Sequence, residues 1–328
     1  MSEKMSEVYE AYDMEILGAV RGRGSMILKT DRGIRQISPF DGSEERLEQE
    51  REFKENLYET GFHHIDCCVP NREGELITCD RYGNPYVMRE YFEGRECNSG
   101  SICDLNQAAA NLAVFHIRGR ELYAKEGRTY AYREPGNFRR KTQEMKKIRS
   151  FISKRPTKND FELLYIEAYD AFYRQAIDCQ AMMDACDRTN IAGHIGYCHG
   201  AYNYHSVLFC GGYLATVNFD RFHVGYQLID LYQFIRKVME KNNYNFNMAV
   251  KIIEEYDRIL PLTIEDYRYI CILYSYPEKF WKVSNRYMNS RKCWISPANL
   301  EKLSKLITDE QEKQKFLSDF CNHYGFTS

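Results

Sequence analysis

The first forty residues alternate between short apolar runs and turn residues. MEILGAV, SMILKT and IRQISPF are each rich enough in apolar and β-branched side chains to form a strand, and Arg-Gly-Arg-Gly and Asp-Arg-Gly separate them. The pattern predicts a three-stranded antiparallel meander over residues 14–40.

A single helix is predicted next, in GSEERLEQEREFKENLYETGF. Ser43 can cap its first turn, Leu47 and Phe53 supply apolar positions, and Gly61 ends it. Beyond it, IDCCVP, GELITCD and PYVMREYF are typical of short strands. This half of the chain is therefore predicted to be a five-stranded antiparallel sheet that carries one helix.

The pattern becomes helical from Asp104 onward. Apolar residues recur every three or four positions in LNQAAANLAVFHIRG, and long helical patterns follow at residues 138–153 and 159–187. One predicted hairpin, SVLFCGGYLATVNF, interrupts them. The Gly-, Asn- and Ser-rich connector near residues 93–101 predicts an N-terminal lobe of residues 1–97 and a C-terminal lobe of residues 98–328. The fold class is α+β.

Composition excludes several classes of protein. The chain has 328 residues, of which 44% are hydrophobic and 28% charged, as in ordinary globular proteins. Its 45 Lys and Arg against 47 Asp and Glu give a net charge of -2, so no global field draws it to nucleic acid or anionic membrane. No run of 18 apolar residues is present, and the start, MSEKMSEVYE, is polar. We expect a cytoplasmic protein without membrane insertion.

Cysteine usage points to thiols rather than to disulfides or a metal site. The twelve cysteines are scattered and form no C-x-x-C pair, so reduced thiols are expected. The densest cluster of potential ligands is formed by His63, His64, Cys67 and Cys68. Neighbours in an extended segment point to opposite faces, so these side chains do not converge and no metal site is predicted.

Three blocks of sequence carry the candidate chemistry. They are CHGAYNYHSVLF at residues 198–209, ATVNFDRF at residues 215–222, and GYQLIDLYQFIRKV from Gly225. These blocks resemble the catalytic loop H-G-D-x-x-x-x-N, the metal-binding D-F/W-D/E segment and the following G-x-x-x-x-D-L helix of aminoglycoside and choline kinase-like phosphotransferases. With FDGSEERLEQE and NFDRFHVGYQLIDLYQFIRKVMEK, the chain is most similar to the CotS family of spore coat proteins over nearly its whole length.

The resemblance implies a protein-kinase-like fold of two lobes, a small sheet lobe with one helix and a larger, mainly helical lobe. Kinase chemistry needs an Asp that accepts the proton of the attacking hydroxyl. It also needs an Asn and a second Asp that hold magnesium, and a Lys on the third strand steadied by a helix Glu. On this sequence the catalytic Asp falls on Ala201, the metal-binding Asn on Ser206 and the metal-binding Asp on Asn218. The Lys falls on Ser38, with Lys29 on the preceding strand an imperfect substitute.

These changes predict a degenerate active site. Ala201 cannot accept a proton, and loss of a general base typically costs about 10²- to 10⁴-fold in rate. Ser206 and Asn218 offer magnesium only neutral oxygens, whereas magnesium normally binds one or two carboxylates. Asp220 lies two residues past Asn218, on the same face of an extended segment, so a rearranged single-metal site is the alternative. Only that alternative requires Mg-ATP; the main interpretation predicts no cofactor and no metal.

Other residues of the motif have structural interpretations beside the catalytic ones. The resemblance implies that His199, Gly200 and Asp230 brace the loop, with His199 a residual catalytic candidate. Asp230 also suits the first turn of a helix, where the helix dipole favours an acid. No partner acid for His205 is identifiable from spacing, which favours a structural histidine.

Signals for nucleotide binding are weak. Gly22 and Gly24 flank Arg23 in the first hairpin, but any tight turn uses a G-x-G, and no third glycine follows at the spacing of a nucleotide-covering loop. Glu48 or Glu50 retains the helix carboxylate.

A basic helix is predicted before Lys154. Its cations are Arg139, Arg140, Lys141, Lys146, Lys147, Arg149, Lys154 and Arg155. Such a run forms either a solvated face or a docking surface for an acidic protein or polyanion. The candidates for docking are Arg139, Arg140, Lys146 and Lys147.

Three functions remain open. The first is a catalytically degenerate kinase-like protein that serves as a structural or assembly component of the spore coat. It would be made in the mother-cell cytoplasm, with other coat proteins as its partners. The alternative is an active ATP-dependent small-molecule phosphotransferase that uses Asp220. A nucleotide-binding but inactive regulator lies between them.

Overall fold

The computed structural model describes residues 5–22, 24–127, 137–186, 193–289 and 297–326. It contains an antiparallel sheet lobe and a helical lobe, which confirms the predicted α+β class. The chain divides into two compact units: unit 1 is Met1–Gly127 with Gly196–Val224, and unit 2 is Arg128–Ile195 with Gly225–Ser328. These units are groups of residues with many internal contacts, and they do not test the predicted lobe boundary. The boundary after residue 97 therefore stays a prediction.

Unit 1 is built on a sheet with the strand order β1-β2-β3-β6-β4, in which β5 pairs with β6. The predicted meander forms its first three strands. The sheet contains six strands, one for each of the six strand-like segments, so the predicted count of five was one too low; β4 and β5 both pair with β6. Its strands are β1 (Ile16–Arg21), β2 (Met26–Thr30), β3 (Gly33–Pro39), β4 (Cys68–Val69), β5 (Ile77–Cys79) and β6 (Pro85–Glu90).

Helices cover both faces of this sheet. Ile37 pairs with Met88 across β3 and β6, and both pack against α1 (Ser6–Glu10), which the sequence did not predict. Val87 points to the opposite face, where it meets Leu47 of α2. Successive side chains of a strand point to opposite faces of the sheet. Val87 and Arg89, two residues apart, therefore both point to the face of the sheet that α2 covers.

Two long helices of unit 1 begin at side-chain caps, of which the cap at Ser43 was predicted. Helix α2 (Glu44–Glu59) begins after Ser43, whose side chain accepts a hydrogen bond from the Arg46 N–H (3.3 Å). Helix α3 (Ile102–Glu126) begins after Ser101 and ends at Gly127, which has a φ of 61°. A side-chain oxygen at the N-cap satisfies a backbone donor that the helix itself cannot.

The predicted glycine hairpin is present in unit 1. Its strands β9 and β10 join at Gly211 and Gly212, which have φ values of 58° and 133°. Strand β9 also pairs with β7, and β8 pairs with β11. The bounds are β7 (Arg95–Glu96), β8 (Ile195–Cys198), β9 (Val207–Cys210), β10 (Tyr213–Thr216) and β11 (His223–Tyr226).

Unit 2 is helical and its core is aromatic. Tyr165 stacks on Phe280 with ring centroids 5.0 Å apart, and Phe172 stacks on the same ring at 4.3 Å. No described helix is both long enough and apolar enough to cross a membrane. Its helices are α4 (Phe138–Lys154), α5 (Asp160–Ala185), α6 (Leu228–Met239), α7 (Phe246–Ile259), α8 (Ile264–Ser275), α9 (Glu278–Met288), α10 (Pro297–Thr308) and α11 (Glu310–His323).

Buried tyrosines predict that unit 2 loses stability in alkali. Burial raises the pKa of Tyr169 to about 12, and burial also raises the pKa of Tyr165, Tyr232 and Tyr274. These phenols ionise first in the unfolded state, near pH 10, so the unfolded state binds fewer protons and stability falls as pH rises above that value. Each such tyrosine contributes a slope of about 1.4 kcal/mol per pH unit.

This prediction is checked by urea melts between pH 8 and 11, together with absorbance at 295 nm. We expect the buried phenols to ionise cooperatively with the loss of helical circular dichroism. Complete tyrosine ionisation near pH 10 with unchanged dichroism would contradict it.

Candidate functional site

The loop between β8 and β9 carries the predicted catalytic motif. His199 is fully buried there. The Ala201 N–H donates to His199 Nδ1 (3.2 Å), and His199 Nε2 lies 3.0 Å from the carbonyl oxygen of Val217. Because Nδ1 accepts, the ring proton belongs on Nε2, which donates to Val217. His199 thus connects the loop to the segment after β10, with both ring nitrogens engaged inside unit 1.

Asn203 organises the rest of this loop. Its side-chain amide donates to the Ala201 carbonyl (2.6 Å), and its Oδ1 accepts from the His205 N–H (2.9 Å). Ser206 is buried, and its hydroxyl accepts from the Asn203 N–H (2.9 Å) and donates to the Asn203 carbonyl (2.8 Å). At the two kinase positions in this loop, Ala201 therefore supplies only a methyl group, and the Ser206 hydroxyl is hydrogen-bonded to the backbone of Asn203 in the same loop.

His205 has an acidic partner that the sequence did not reveal. Its Nδ1 lies 2.5 Å from Oε2 of Glu96 on β7. The two side chains are 58% and 56% exposed, so the pair is a surface interaction worth little to stability. The partner was missed because 109 residues separate the two positions.

The segment after β10 is fixed by its backbone. Asn218 has a φ of 69°, a left-handed conformation that Asn tolerates better than most residues, and its N–H donates to Asp66 Oδ2 (2.9 Å). Phe219 is fully buried, with its ring 4.5 Å from the His199 ring and 5.2 Å from Lys54 Nζ. Asn218 occupies the position of the metal-binding Asp of kinases. Its backbone is therefore fixed by the hydrogen bond to the Asp66 carboxylate.

Four charged side chains of unit 1 form what we call the buried charge cluster: Glu50, Lys54, Asp66 and Arg89. The Lys54 side chain is 1% exposed, and its Nζ lies 2.6 Å from Glu50 Oε1 and 2.8 Å from Asp66 Oδ1. Lys54 Nζ also donates to the Asp66 carbonyl (2.7 Å). Arg89 Nη2 lies 3.2 Å from Glu50 Oε2. Two cations and two carboxylates make the cluster neutral.

The cluster keeps its members charged. Burial disfavours the Lys54 ammonium, but the carboxylates of Asp66 and Glu50 outweigh burial and raise the pKa of Lys54 to about 12. Burial likewise favours a neutral Glu50, but Lys54 and Arg89 outweigh it and lower the pKa of Glu50. Opposite charges at hydrogen-bond distance favour the ionised forms in this way.

Besides Lys54 of α2 itself, the strand cation that reaches the Glu50 carboxylate comes from β6 instead of β3. In the sheet register Ser38 pairs with Val87 and Gln36 pairs with Arg89, so these side chains share a face. Lys29 on β2 is exposed. The kinase resemblance places this cation on β3, where the sequence has Ser38. The sequence signal for Arg89 is its position two residues beyond the buried Val87.

Of the two candidate helix carboxylates, Glu50 is the buried one. Glu48 is half-buried, with a side chain that is 46% exposed, and it pairs with Arg51 Nε at 2.8 Å. Asp220, the carboxylate of the alternative metal site, has a side chain that is 72% exposed and lies 3.9 Å from Arg89 Nη2.

The glycines of the first hairpin serve its turn. The Gly22 N–H donates to the Ser25 carbonyl (2.9 Å), and Gly24 has a φ of 75°. Gln36 Nε2 donates to the Ser25 hydroxyl (2.8 Å), which ties this turn to β3. Nucleotide contact by these glycines stays a prediction.

Gly200 is required by a close backbone approach. It has a φ of 76°, and a Cβ at this position would lie 2.1 Å from the Arg221 carbonyl oxygen. The catalytic-type loop therefore packs directly on the backbone of the segment after β10.

Asp230 lies in unit 2, in the first turn of α6, and is 2% exposed. Its backbone N–H donates to the Gln227 carbonyl (3.0 Å). Its proposed role in bracing the loop stays a prediction.

Two of the four predicted docking cations are engaged in ion pairs. Arg139 Nη2 lies 2.5 Å from Asp184 Oδ1, and Arg140 Nη1 lies 3.1 Å from Glu144 Oε1. These pairs neutralise the first turn of α4.

The positive part of α4 lies further along the helix. Lys146 and Lys147 are exposed, and the ring of Phe151, one turn beyond Lys147, is 50% exposed. Lys141 is buried, with its Nζ 2.6 Å from Glu278 Oε2. The exposed cations therefore lie next to an exposed aromatic side chain.

Comparisons with solved structures identify the fold. The chain is similar to an aminoglycoside phosphotransferase from Alicyclobacillus acidocaldarius subsp. acidocaldarius DSM 446, with a TM-score of 0.81, 16% identity, and 96% of this chain and 95% of that chain covered. It is similar to a spectinomycin phosphotransferase crystallised with ADP and spectinomycin, with a TM-score of 0.63, 10% identity and coverage of 93% and 95%. It is also similar to an ethanolamine kinase of Plasmodium vivax, with a TM-score of 0.54, 13% identity and coverage of 96% and 84%.

At these identities the structures establish the fold alone, which is that of aminoglycoside and choline kinase-like phosphotransferases. A comparison with curated proteins gives no match. A family model does match, over residues 5–320. This match confirms the expected resemblance to CotS-like spore coat proteins, and the chain belongs to the family described as "Spore coat putative kinase YutH".

Proposed function

We propose that this chain is a catalytically degenerate kinase-like protein that acts as a structural or assembly component of the spore coat. Its family supports a location in the spore coat. We propose that it is assembled there from the mother-cell cytoplasm. The observation that carries the loss of catalysis is the replacement of three kinase groups by Ala201, Ser206 and Asn218, whose backbone or hydroxyl groups are hydrogen-bonded inside unit 1.

Metal binding at these positions is disfavoured by charge. Ser206 and Asn218 supply no negative charge, whereas magnesium normally binds at least one carboxylate. The carboxylate that contacts this segment, Asp66, already lies 2.8 Å from Lys54 Nζ and accepts the Asn218 N–H. Coordination of magnesium by Asp66 would compete with both interactions. We therefore propose a function that needs neither a metal nor a cofactor.

Phosphate binding is disfavoured by burial. Lys54 is 1% exposed, so its ammonium does not reach solvent, where a nucleotide would bind. Arg89 is more accessible, at 16% exposure, but pairs with Glu50. A phosphate would have to compete with a buried carboxylate for this guanidinium.

The alternative function is an ATP-dependent small-molecule phosphotransferase. It is favoured by Asp220, which lies two residues beyond Asn218 and has a side chain that is 72% exposed. In this alternative Asp220 would hold the magnesium of Mg-ATP.

We expect no phosphoryl transfer from ATP to amino sugars, choline-like alcohols or proteins, with magnesium or manganese present. Ala201→Asp alone should not create activity, because the metal ligands stay neutral. The measurement is ADP release by the full chain, with Asp220→Ala as the matched variant. Turnover in the usual kinase range of about 1–100 per second that Asp220→Ala abolishes would establish the alternative.

Thermal shift with Mg-ATP separates the structural function from an inactive nucleotide binder. A ligand that binds only the folded state stabilises it by RT ln(1 + [L]/Kd), about 2.7 kcal/mol at 100-fold excess over Kd. We expect no concentration-dependent shift. A shift without turnover would show a nucleotide-binding regulator instead.

The proposed coat partner docks on the exposed basic part of α4. Lys146→Glu combined with Lys147→Glu should slow association with an acidic coat partner and displace the protein from the spore surface, because charge complementarity mainly sets encounter rate and specificity. The Arg139 and Arg140 ion pairs stay intact in this variant. The measurement is localisation of a fluorescent fusion in sporulating cells.

The matched control is Lys302→Glu with Lys305→Glu, two exposed lysines on α10, which changes net charge equally. Circular dichroism first establishes that both variants fold. Normal localisation of the α4 variant, or equal displacement of the α10 variant, would contradict a docking role for this face.

A further inference from the structure

Three cysteines of unit 2 line one groove. The groove has a volume of about 790 Å³ and lies among α5, α8 and α11. Cys186 follows α5, Cys271 lies on α8 and Cys321 lies on α11. Cys271 is buried and Cys321 is half-buried, and both reach the groove. Small reagents in solvent therefore have access to these thiols.

Ring contacts hold α8 and α11 together on both sides of Cys271. Tyr267, one turn before it, stacks on Tyr324 with centroids 4.1 Å apart. Tyr274, one turn after it, packs on Phe320 at 6.0 Å. Residues one helical turn apart share a face. The contacts thus place the α8 cysteine opposite the part of α11 that carries its own cysteine.

Cys271 and Cys321 line the same groove from these two facing helices. Hydrogen bonding with Cys321 raises the pKa of Cys271, and hydrogen bonding with Cys271 lowers the pKa of Cys321. Burial raises the pKa of Cys186. The thiolate is the nucleophilic form of cysteine. The pair therefore combines a thiol whose pKa is lowered, Cys321, with a second thiol that lines the same groove.

We propose that Cys271 and Cys321 form a redox-active dithiol, which hydrogen peroxide converts to a disulfide joining α8 to α11. The Cys321 thiolate attacks one peroxide oxygen, the O–O bond breaks, and the released hydroxide takes up a proton as water. The sulfur of Cys271 then attacks the Cys321 sulfenic acid. The S–S bond forms, the S–O bond breaks, and the hydroxyl leaves with the Cys271 proton as water. Two thiols lose two electrons and one peroxide becomes two waters.

The test uses the full chain, reduced under argon and treated with one equivalent of hydrogen peroxide. After alkylation and proteolysis, mass spectrometry should find a linked peptide that contains Cys271 and Cys321, and the thiol count should fall by two. Oxidation of other cysteines while this pair stays fully alkylated would overturn the proposal. So would a linked peptide that contains Cys186 in place of either partner.

Variants separate the two roles. Cys271→Ser should accumulate a sulfenic acid at Cys321 that dimedone labels, whereas Cys321→Ser should give no dimedone adduct at Cys271. Cys186→Ser, in the same groove, is the matched control and should form the disulfide normally. Dimedone labelling at Cys271 in Cys321→Ser, equal to that at Cys321 in Cys271→Ser, would overturn the assigned order.

A trivalent arsenical tests the pairing without any variant. Phenylarsine oxide binds two adjacent thiols, so the reduced chain should take up one equivalent at this pair and be protected there from peroxide. Absence of binding at Cys271 and Cys321 in the folded, reduced protein would show that the thiols are too far apart to react together.

Discussion

Lys54→Met is expected to lower the free energy of unfolding by about 3–5 kcal/mol, the usual cost of removing one partner from a buried ion pair. The substitution leaves the Asp66 carboxylate buried with its Oδ1 facing no cation, and it removes the donor to the Asp66 carbonyl. Met has a similar length, so lost volume contributes little. Glu50 keeps Arg89 as a partner, which places the main cost at Asp66.

The matched control is Arg51→Met on the same helix. The Arg51 side chain is 40% exposed and its pairs with Glu48 and Glu55 are surface interactions, so this variant should cost at most about 1 kcal/mol. Urea melts at pH 7 measure both. Lys54→Met combined with Asp66→Asn should regain part of the loss, because the orphaned charge is gone. Equal midpoints for Lys54→Met and Arg51→Met would show that the buried ammonium is dispensable.

The elements of the sheet lobe were predictable because their signals are local. The cap at Ser43 and the stop at Gly61 define α2 within a few residues of chain. The turns that separate β1, β2 and β3 are likewise determined by a few consecutive residues. Short elements were harder: β4 spans two residues and β5 three, and neither has a pattern long enough to set its register.

The buried charge cluster could only be half predicted. Glu50 and Lys54 lie on the same stripe of α2 as Leu47 and Leu57, so charged residues at buried positions were visible in the sequence. Their partners were not, because Asp66 lies beyond the helix, 12 positions after Lys54, and is itself positioned by a bond from Asn218 that joins residues 152 positions apart. The guanidinium of Arg89 reaches α2 only through the pairing of β3 with β6, which no local pattern encodes.

Charge on α4 shows the same limit. The run of cations predicted a basic helix, and α4 forms over Phe138–Lys154. Arg139 and Lys141 are neutralised by acids from other helices, Asp184 on α5 and Glu278 on α9. Ion pairing across helices depends on tertiary packing, so sequence alone overstated the positive face.

Gly200→Ala is expected to lower the free energy of unfolding by about 2–5 kcal/mol, from two causes that add. A left-handed backbone costs a residue with a Cβ about 1–2 kcal/mol. Overpacking typically adds about 1–3 kcal/mol, and here the new Cβ would lie 2.1 Å from the Arg221 carbonyl oxygen, a backbone atom that cannot rotate away. The loop that carries Ala201 would have to separate from the segment that carries Asn218.

Gly24→Ala isolates the first cause. Gly24 has a φ of 75°, against 76° at Gly200, and a Cβ there meets no atom of the described chain within 4 Å. This variant should therefore lose only the backbone cost of about 1–2 kcal/mol. Urea melts of both variants give the difference, which measures the close approach of the two segments. If Gly200→Ala and Gly24→Ala unfold at the same urea concentration, the loop does not pack on Arg221 as described, and the His199 bond to Val217 must be maintained without that contact.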